Sequence, residues 1–181
     1  MSEKPTKEKV IGVIGGMGPE ATVDFMHRLV ARTPARDDAD HLHVLVANNP
    51  KNPSRIAALI EGTGEDPVPV LCGMAKGLQA QGADFLVMPC NTAHYYLPAI
   101  ARSVGIPVLD MVQLAIQKLA IGKPRRVAML ASPAVRMVGL YKARMEQAGL
   151  QALFPEPQDE ELLLGIIKAV KAGQLGDRHR Q

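Results

Sequence analysis

Residues 88–94, Met-Pro-Cys-Asn-Thr-Ala-His, place a thiol between an apolar segment and a predicted helix. Cys90 should therefore lie at the carboxyl edge of a sheet, where open α/β proteins bind ligands. The dipole and free N–H groups of a helix start favour the reactive thiolate over the thiol. Asn91 and Thr92 could cap the helix or hold a substrate carboxylate, and His94 could tune the thiol or satisfy a helix end. The alternative is an inert, buried cysteine in a strand–helix turn.

A glycine cluster at residues 15–21, Gly-Gly-Met-Gly-Pro-Glu-Ala, forms a second candidate site between a predicted strand and a predicted helix. Its spacing fits a dinucleotide-binding pattern with Ala in the last place, a weak signal by itself. Backbone N–H groups at such a helix start can face an anion. A carboxylate would serve as well as a phosphate, and a purely structural turn is also open, so a nucleotide is the least favoured ligand.

The composition narrows the class of partner. Aromatic residues make up 3% of the chain and Trp is absent, which argues against nucleic-acid binding by base stacking. The net charge of +3 is modest, and cations cluster only at Lys123, Arg125 and Arg126, so no basic stripe for DNA is evident. We expect a small-molecule substrate and no nucleic-acid partner.

The cysteine pattern and the apolar segments predict the compartment. Cys72 and Cys90 have neither metal-ligand spacing nor the pattern of a disulfide framework. We find no apolar stretch long enough for a membrane span and no secretory signal at the N-terminus. A cytoplasmic protein with reduced thiols and no membrane partner is expected.

Strands and helices are predicted to alternate, which is typical of an α/β fold with parallel sheets flanked by helices. Predicted strands lie at 10–14, 42–47, 84–88 and 126–130, with a short apolar segment at 107–109. Predicted helices lie at 19–31, 55–60, 70–81, 93–104, 111–119, 138–148 and 159–171. We expect two flavodoxin-like or Rossmann-like lobes: residues 1–122, which carry Cys90, and an incomplete second lobe, residues 123–181.

Together these motifs resemble the aspartate/glutamate racemase family in order and spacing. The run at 15–22 is followed by Asn49-Pro50 with Arg55, and then by 82–85 leading into the run at 89–94. The likeness covers about Val10 to Met111 and continues more weakly to residue 173.

The resemblance implies racemisation without pyridoxal phosphate or metal. Two thiols flank the α-carbon of the substrate: one removes its proton as thiolate and the other delivers a proton to the opposite face. Cys90 matches one of them. A carbanion beside a carboxylate is very unstable, so cationic and N–H groups must surround that carboxylate in a dry cleft, with a suitable base in contact with the carbon acid.

The family's substrate-binding positions also have counterparts in this chain. They are Met17, Asn49, Arg55, Asn91, Thr92, Ser132 and Lys171. Asn91 and Thr92 would hold the α-carboxylate, Arg55 would pair with the side-chain carboxylate, and Lys171 would face the substrate. Without the resemblance, Arg55 is a surface helix residue and Lys171 a last-turn lysine that meets the helix dipole.

The chain departs from the family pattern in its second lobe. The family's second thiol belongs beyond the position of Lys171, past the last residue of this sequence. Cys72 is expected to be a core thiol and no substitute. Ser132 keeps one hydroxyl of a usual threonine pair, and Val135 replaces the other.

Two hypotheses follow. In one, the chain is a shortened racemase with impaired activity; in the other, it is a non-catalytic relative that binds a dicarboxylate or pairs with another subunit. The resemblance favours aspartate over glutamate, with hydantoins and maleate as further alternatives, and suggests a homodimer.

Overall fold

The structure, a computed structural model, describes residues 8–174, along which strands and helices alternate. The strands are β1 (Ile11–Gly15), β2 (Val44–Asn48), β3 (Phe85–Val87), β4 (Arg126–Ala128) and β5 (Gln151–Leu153). The α-helices are α1 (Pro19–Arg32), α2 (Val68–Ala80), α3 (Leu97–Ser103), α4 (Met111–Ile121), α5 (Pro133–Met137), α6 (Lys142–Gln147) and α7 (Pro157–Lys171). No helix within these residues is long and apolar enough to cross a membrane.

The first sheet is parallel, with β1 at its centre between β2 and β3. Ile11 pairs with Val44 on one side and with Phe85 on the other. Every residue of β1 is buried, as expected for the central strand of a parallel sheet covered on both faces. A parallel bridge from Leu86 to Val108 extends the sheet at the predicted apolar segment. The predicted α/β class with parallel sheets is confirmed.

The second sheet consists of β4 and β5, which are also parallel, with Arg126 opposite Gln151. The strand β4 was predicted and β5 was not. The prediction of β4 rested on the unbroken apolar run at 127–130, Val-Ala-Met-Leu, whereas β5 is Gln-Ala-Leu and shows no such run and no alternation from which a strand is recognised.

Three predicted helices differ from the observed ones. The predicted helix at 93–104 is a 3₁₀ segment, Thr92–Tyr96, followed by α3, because Pro98 lacks an N–H and suits only the first turn of a helix. The predicted helix at 138–148 is shortened to α6, since Gly139 at φ +63° lies in the turn between α6 and the unpredicted α5. The short helix predicted at 55–60 is a π-helical segment, Ala57–Glu61.

Buried side chains form two clusters, one on each sheet. The first cluster includes Ile14, Leu71, Leu78, Leu86 and Ile100. The second cluster consists of Val112, Ile116, Val135, Leu140, Tyr141, Met145 and Leu150. The helix α4 therefore packs with the second cluster although it precedes residue 122. The division of the lobes at that residue stays a prediction.

Candidate active site

The turn after β3 places Cys90 at the carboxyl edge of the first sheet. Met88, 2% exposed, anchors the strand end in the first cluster, and its carbonyl accepts the backbone N–H of Cys90 at 2.8 Å. Cys90 is partly buried and lines a cavity of ≈ 280 Å³. Cys72 packs against the first cluster, with its Sγ 3.7 Å from the carbonyl oxygen of Ala99, and does not line this cavity. Cys90 is therefore the thiol that a ligand in the cavity would meet.

His94 fixes the backbone at Cys90 rather than contacting its sulfur. The backbone N–H of Met111 donates to His94 Nε2 at 3.1 Å. Nε2 is therefore unprotonated, and Nδ1–H donates to the carbonyl of Cys90 at 2.8 Å. Burial lowers the pKa of His94, although the Cys90 carbonyl and the charge of Asp110 act in the opposite direction. The ring is thus a neutral bridge from the thiol-bearing turn to the start of α4.

The glycine turn after β1 brings Met17 to the cavity wall. Gly16 has φ +89°, and a Cβ there would lie 2.3 Å from the backbone of Asn49, so only glycine fits. Its N–H donates to Thr22 Oγ1 at 3.0 Å, which ties the turn to α1. The side chain of Asn49 accepts the N–H of Lys51 at 2.9 Å and stabilises its own turn. It does not line the cavity.

Asn91 and Thr92 line the cavity beside Cys90. The side chain of Asn91 makes no capping hydrogen bond to the helix that follows it. Its Oδ1 instead accepts the hydroxyl of Tyr141, which belongs to the second cluster, at 2.5 Å. The capping role considered for Asn91 is therefore wrong, because the amide oxygen is engaged across the two lobes.

The last turn of α7 carries Lys171 to the same cavity, next to Val170. Burial is the largest influence and lowers the pKa of Lys171, even though solvent still reaches the residue. The charge of Cys90 acts upward on this pKa and that of Arg55 acts downward. No carboxylate within residues 8–174 forms an ion pair with Lys171. Its ammonium is therefore available to an anionic ligand.

Arg55 lies near the cavity but is not part of its lining. Its Nη1 donates to the carbonyls of Pro53 at 2.6 Å and of Asn52 at 3.3 Å. Its Nε is buried and has no hydrogen-bond partner in the described part of the chain. Its charge nevertheless reaches the site, since it acts on the pKa of Lys171.

A family model described as Asp/Glu/Hydantoin racemase matches residues 14–180. The chain belongs to the Asp/Glu/hydantoin racemase family. The resemblance stated from the sequence motifs is thereby confirmed.

Three proteins are similar to this racemase-family chain over most of its length. The broad specificity amino-acid racemase RacX of Bacillus subtilis (strain 168) is 25% identical over 166 residues, which are 90% of this chain and 71% of that protein. The structure of Picrophilus torridus aspartate racemase has a TM-score of 0.83 at 32% identity, over 91% of this chain and 68% of that one. An aspartate racemase homologue from Pyrococcus horikoshii OT3 shares the fold, with a TM-score of 0.70 at 23% identity over 88% of this chain and 70% of that one.

The second lobe supplies the opposite wall of the cavity. Ser132, 9% exposed, precedes α5, and its hydroxyl makes no capping hydrogen bond. Val135, 1% exposed, lines the wall and packs in the second cluster. Of the eight site residues predicted from the sequence, the cavity brings together Met17, Cys90, Asn91, Thr92, Ser132 and Lys171. It does not include Arg55 and Asn49.

Two residues at the site were missed by the sequence analysis. Glu20 lines the cavity from the first turn of α1. Its place in the glycine run, directly after Pro19, was a signal that could have found it. Tyr141 reaches Asn91 from fifty residues away along the chain. No local pattern reveals such a contact.

Proposed function

We propose that the chain is a cofactor-independent amino-acid racemase that acts on aspartate in preference to glutamate through proton transfer at the α-carbon by Cys90. The observation that carries the proposal is the opening of the Cys90 thiol onto a cavity that Lys171 also lines. A thiolate base and a cation beside the substrate carboxylate are the two groups that abstraction of an α-proton requires. This chemistry needs a reduced thiol, which suits the cytoplasmic location that we also propose.

The α-carboxylate of the substrate is assigned to the wall that carries Asn91, Thr92 and Lys171. As the α-proton leaves, negative charge develops on this carboxylate. N–H groups and an ammonium directed at that position in a cavity of limited size stabilise the charge more strongly than water does. Lys171 has no ion-pair partner among the described residues, and a bound carboxylate would supply one.

The second carboxylate of aspartate is assigned to Arg55. The buried Nε of this guanidinium has no partner among the described residues, and an unsatisfied buried donor costs about 1–3 kcal/mol. A carboxylate would satisfy Nε, and the planar guanidinium can bind it in bidentate fashion. This pairing distinguishes dicarboxylic amino acids from neutral ones.

The α-ammonium of the substrate is assigned to Glu20. Glu20 is the carboxylate among the residues that line the cavity. Aspartate bears one ammonium and two carboxylates. Glu20 complements the ammonium, and Lys171 and Arg55 complement the carboxylates. The resulting charge pattern matches a dicarboxylic amino acid.

The choice of aspartate is supported by the relatives. The Picrophilus torridus enzyme, an aspartate racemase, is 32% identical to this chain. The Bacillus subtilis relative is a broad specificity amino-acid racemase, at 25% identity. Aspartate is therefore the first substrate to test, and glutamate the second.

A non-catalytic dicarboxylate-binding protein is the second candidate function. Within residues 8–174 the cavity contains one thiol, Cys90, and its opposite wall has the apolar Val135 beside Ser132. One thiol can exchange the α-proton of one enantiomer, whereas racemisation also needs a proton donor on the other face. Binding without exchange would identify this second function.

The subunits are proposed to form a homodimer through an apolar face of α1 and β2. Val30 is 54% exposed and adjoins a groove that Leu42 and Val44 also line, and Val46 on the same edge strand is 42% exposed. Exposed apolar patches of this kind mark protein interfaces. Val30→Glu is expected to convert the dimer to a monomer in light scattering, and an unchanged mass would contradict this interface.

The test of the catalytic proposal is exchange of the α-proton in D₂O, followed by proton NMR for L- and D-aspartate separately, with chiral chromatography to detect racemisation. Cys90→Ser should reduce exchange by about 100-fold or more, the usual contribution of a general base. Cys72→Ser is the matched control, since it removes the thiol that lies outside the cavity, and it should exchange at the wild-type rate. Equal exchange by Cys90→Ser and wild type would refute the assignment.

A further inference from the structure

One side-chain hydrogen bond crosses the two lobes directly beside the candidate catalytic thiol. The hydroxyl of Tyr141 donates to Oδ1 of Asn91, the residue that follows Cys90. Tyr141 is 8% exposed, and its ring is held in the second cluster with Val135 and Met145. A rigid ring on one lobe therefore determines the position of an amide on the other.

The opposite end of this amide, Nδ2, has no hydrogen-bond partner in the described part of the chain. Oδ1 and Nδ2 of an amide lie in one plane on one carbon, so a bond that fixes the oxygen also fixes the nitrogen. Asn91 lines the cavity, and its Nδ2 makes no hydrogen bond to the described residues. Both N–H groups of the amide are available to an acceptor in the cavity.

The environment of Tyr141 keeps its hydroxyl protonated and able to donate. Burial, followed by the charge of Asp110, raises the pKa of Tyr141, and the charge of Arg144 opposes this. The backbone around the tyrosine is held separately, because Arg144 forms an ion pair with Asp110 at 2.5 Å. The segment that carries Tyr141 thus has a link to the start of α4 that does not involve Asn91.

We propose that Tyr141 is a positioning residue for substrate binding, and that its hydroxyl orients the Asn91 amide so that Nδ2 donates to the α-carboxylate of a dicarboxylic amino acid. The proposal rests on the function proposed above. A purely structural role would make the hydroxyl one more link between the lobes, whose loss lowers stability and leaves the affinity for the ligand unchanged.

The test is calorimetric titration of L-aspartate into wild type, Tyr141→Phe, Asn91→Ala and the double variant. Tyr141→Phe keeps the buried ring and removes the hydroxyl alone. It should raise Kd about tenfold, the lower range for a hydrogen bond to a charged group. Because Tyr141 acts through Asn91, the double variant should bind no more weakly than Asn91→Ala. Tyr95→Phe is the matched control, since Tyr95 is exposed and packs edge-on against Tyr96 outside the cavity, and its Kd should equal that of wild type.

Three outcomes would overturn the inference. Equal Kd values for Tyr141→Phe and wild type would refute it while leaving the proposed function intact. If the Kd of the double variant rises by the product of the two single-variant factors, Tyr141 acts independently of Asn91. Failure of wild type to bind L-aspartate would refute the proposed function, and the inference with it.

A further variant tests the inference if Tyr141→Phe does not fold. Asn91→Asp can still accept the tyrosine hydroxyl but presents an oxygen, instead of N–H groups, to the cavity. It should keep the thermal midpoint of wild type and bind L-aspartate at least tenfold more weakly, because two carboxylates would then face each other. Wild-type affinity in Asn91→Asp would overturn the inference.

Discussion

Acidification should destabilise this fold through His94, whose ring is 2% exposed and neutral. The ring accepts the N–H of Met111 and donates to the carbonyl of Cys90. A proton on Nε2 would place its N–H against the N–H of Met111 and leave a positive charge on a buried ring. Burial is the main reason that the pKa of His94 lies below its usual 6.5.

The size of the effect follows from proton linkage. Because the folded-state pKa of His94 is lowered, the unfolded chain binds a proton at a higher pH than the folded chain does. Stability is therefore fully present above 6.5 and falls as the pH decreases below it, by at most about 1.4 kcal/mol per pH unit. Between about pH 7.5 and about pH 5.5 the loss is about 1.4 kcal/mol if the folded ring stays neutral. Asp110, whose pKa is lowered from 3.8, titrates well below this window.

The assay is urea unfolding followed by circular dichroism at several pH values, on wild type and on His94→Asn. The asparagine can still donate to the Cys90 carbonyl but leaves the Met111 N–H without its acceptor. The variant should be less stable by about 1–3 kcal/mol at neutral pH, the cost of one unsatisfied buried donor. The variant should also lack the additional loss of stability that wild type shows below pH 6.5. The other histidines are common to both proteins, so an identical pH slope in both would refute the assigned role of His94.

Three further predictions concern the glycine turn and the cavity walls. Gly16→Ala should lower the free energy of unfolding by about 3 kcal/mol or more in urea titrations, since its Cβ would overlap the backbone of Asn49 and φ is +89°. A variant as stable as wild type would contradict the described conformation of the glycine turn. Affinity for succinate, measured by calorimetry, should fall as the pH rises through the lowered pKa of Lys171, because the ammonium loses its charge. Lys171→Arg should move that loss of affinity to higher pH, since a guanidinium stays charged. A pH profile of affinity that does not move in Lys171→Arg would exclude Lys171 as the cation. Val135→Thr should cost about 1–3 kcal/mol in thermal unfolding, because it buries a hydroxyl at a position that is 1% exposed, and no change in stability would mean that the hydroxyl finds a partner.

The turns that carry the chemistry could be predicted because each joins an apolar strand to residues with restricted backbone roles. Pro19 begins α1 as predicted, and Gly82, at φ +101°, follows the end of α2. Cys90 lies at the sheet edge because it comes directly after the end of β3. Local sequence was enough for these features because the signals lie within a few residues of the structures they specify.

The features that could not be predicted depend on contacts between residues that are far apart in the sequence. The strand β5 is defined by its pairing with β4 rather than by its own pattern. The Tyr141–Asn91 hydrogen bond joins two lobes, and the packing of α4 with the second cluster depends on where the chain turns back. Arg55 was placed on the substrate by resemblance, and nothing in its local sequence predicts that its Nη1 donates to carbonyls of its own loop while its Nε keeps no partner among the described residues. Which acceptors a long, flexible side chain selects is decided by the folded backbone around it.

The central claim, that the Cys90 thiol faces the substrate, is tested most directly by alkylation with iodoacetate, with the modified peptides quantified by mass spectrometry. Cys72, which is partly buried like Cys90 but does not line the cavity, is the internal reference in the same molecule. We predict that Cys90 is carboxymethylated first and that saturating L-aspartate protects it while leaving the slower reaction of Cys72 unchanged. Preferential labelling of Cys72, or labelling of Cys90 that L-aspartate does not slow, would contradict it.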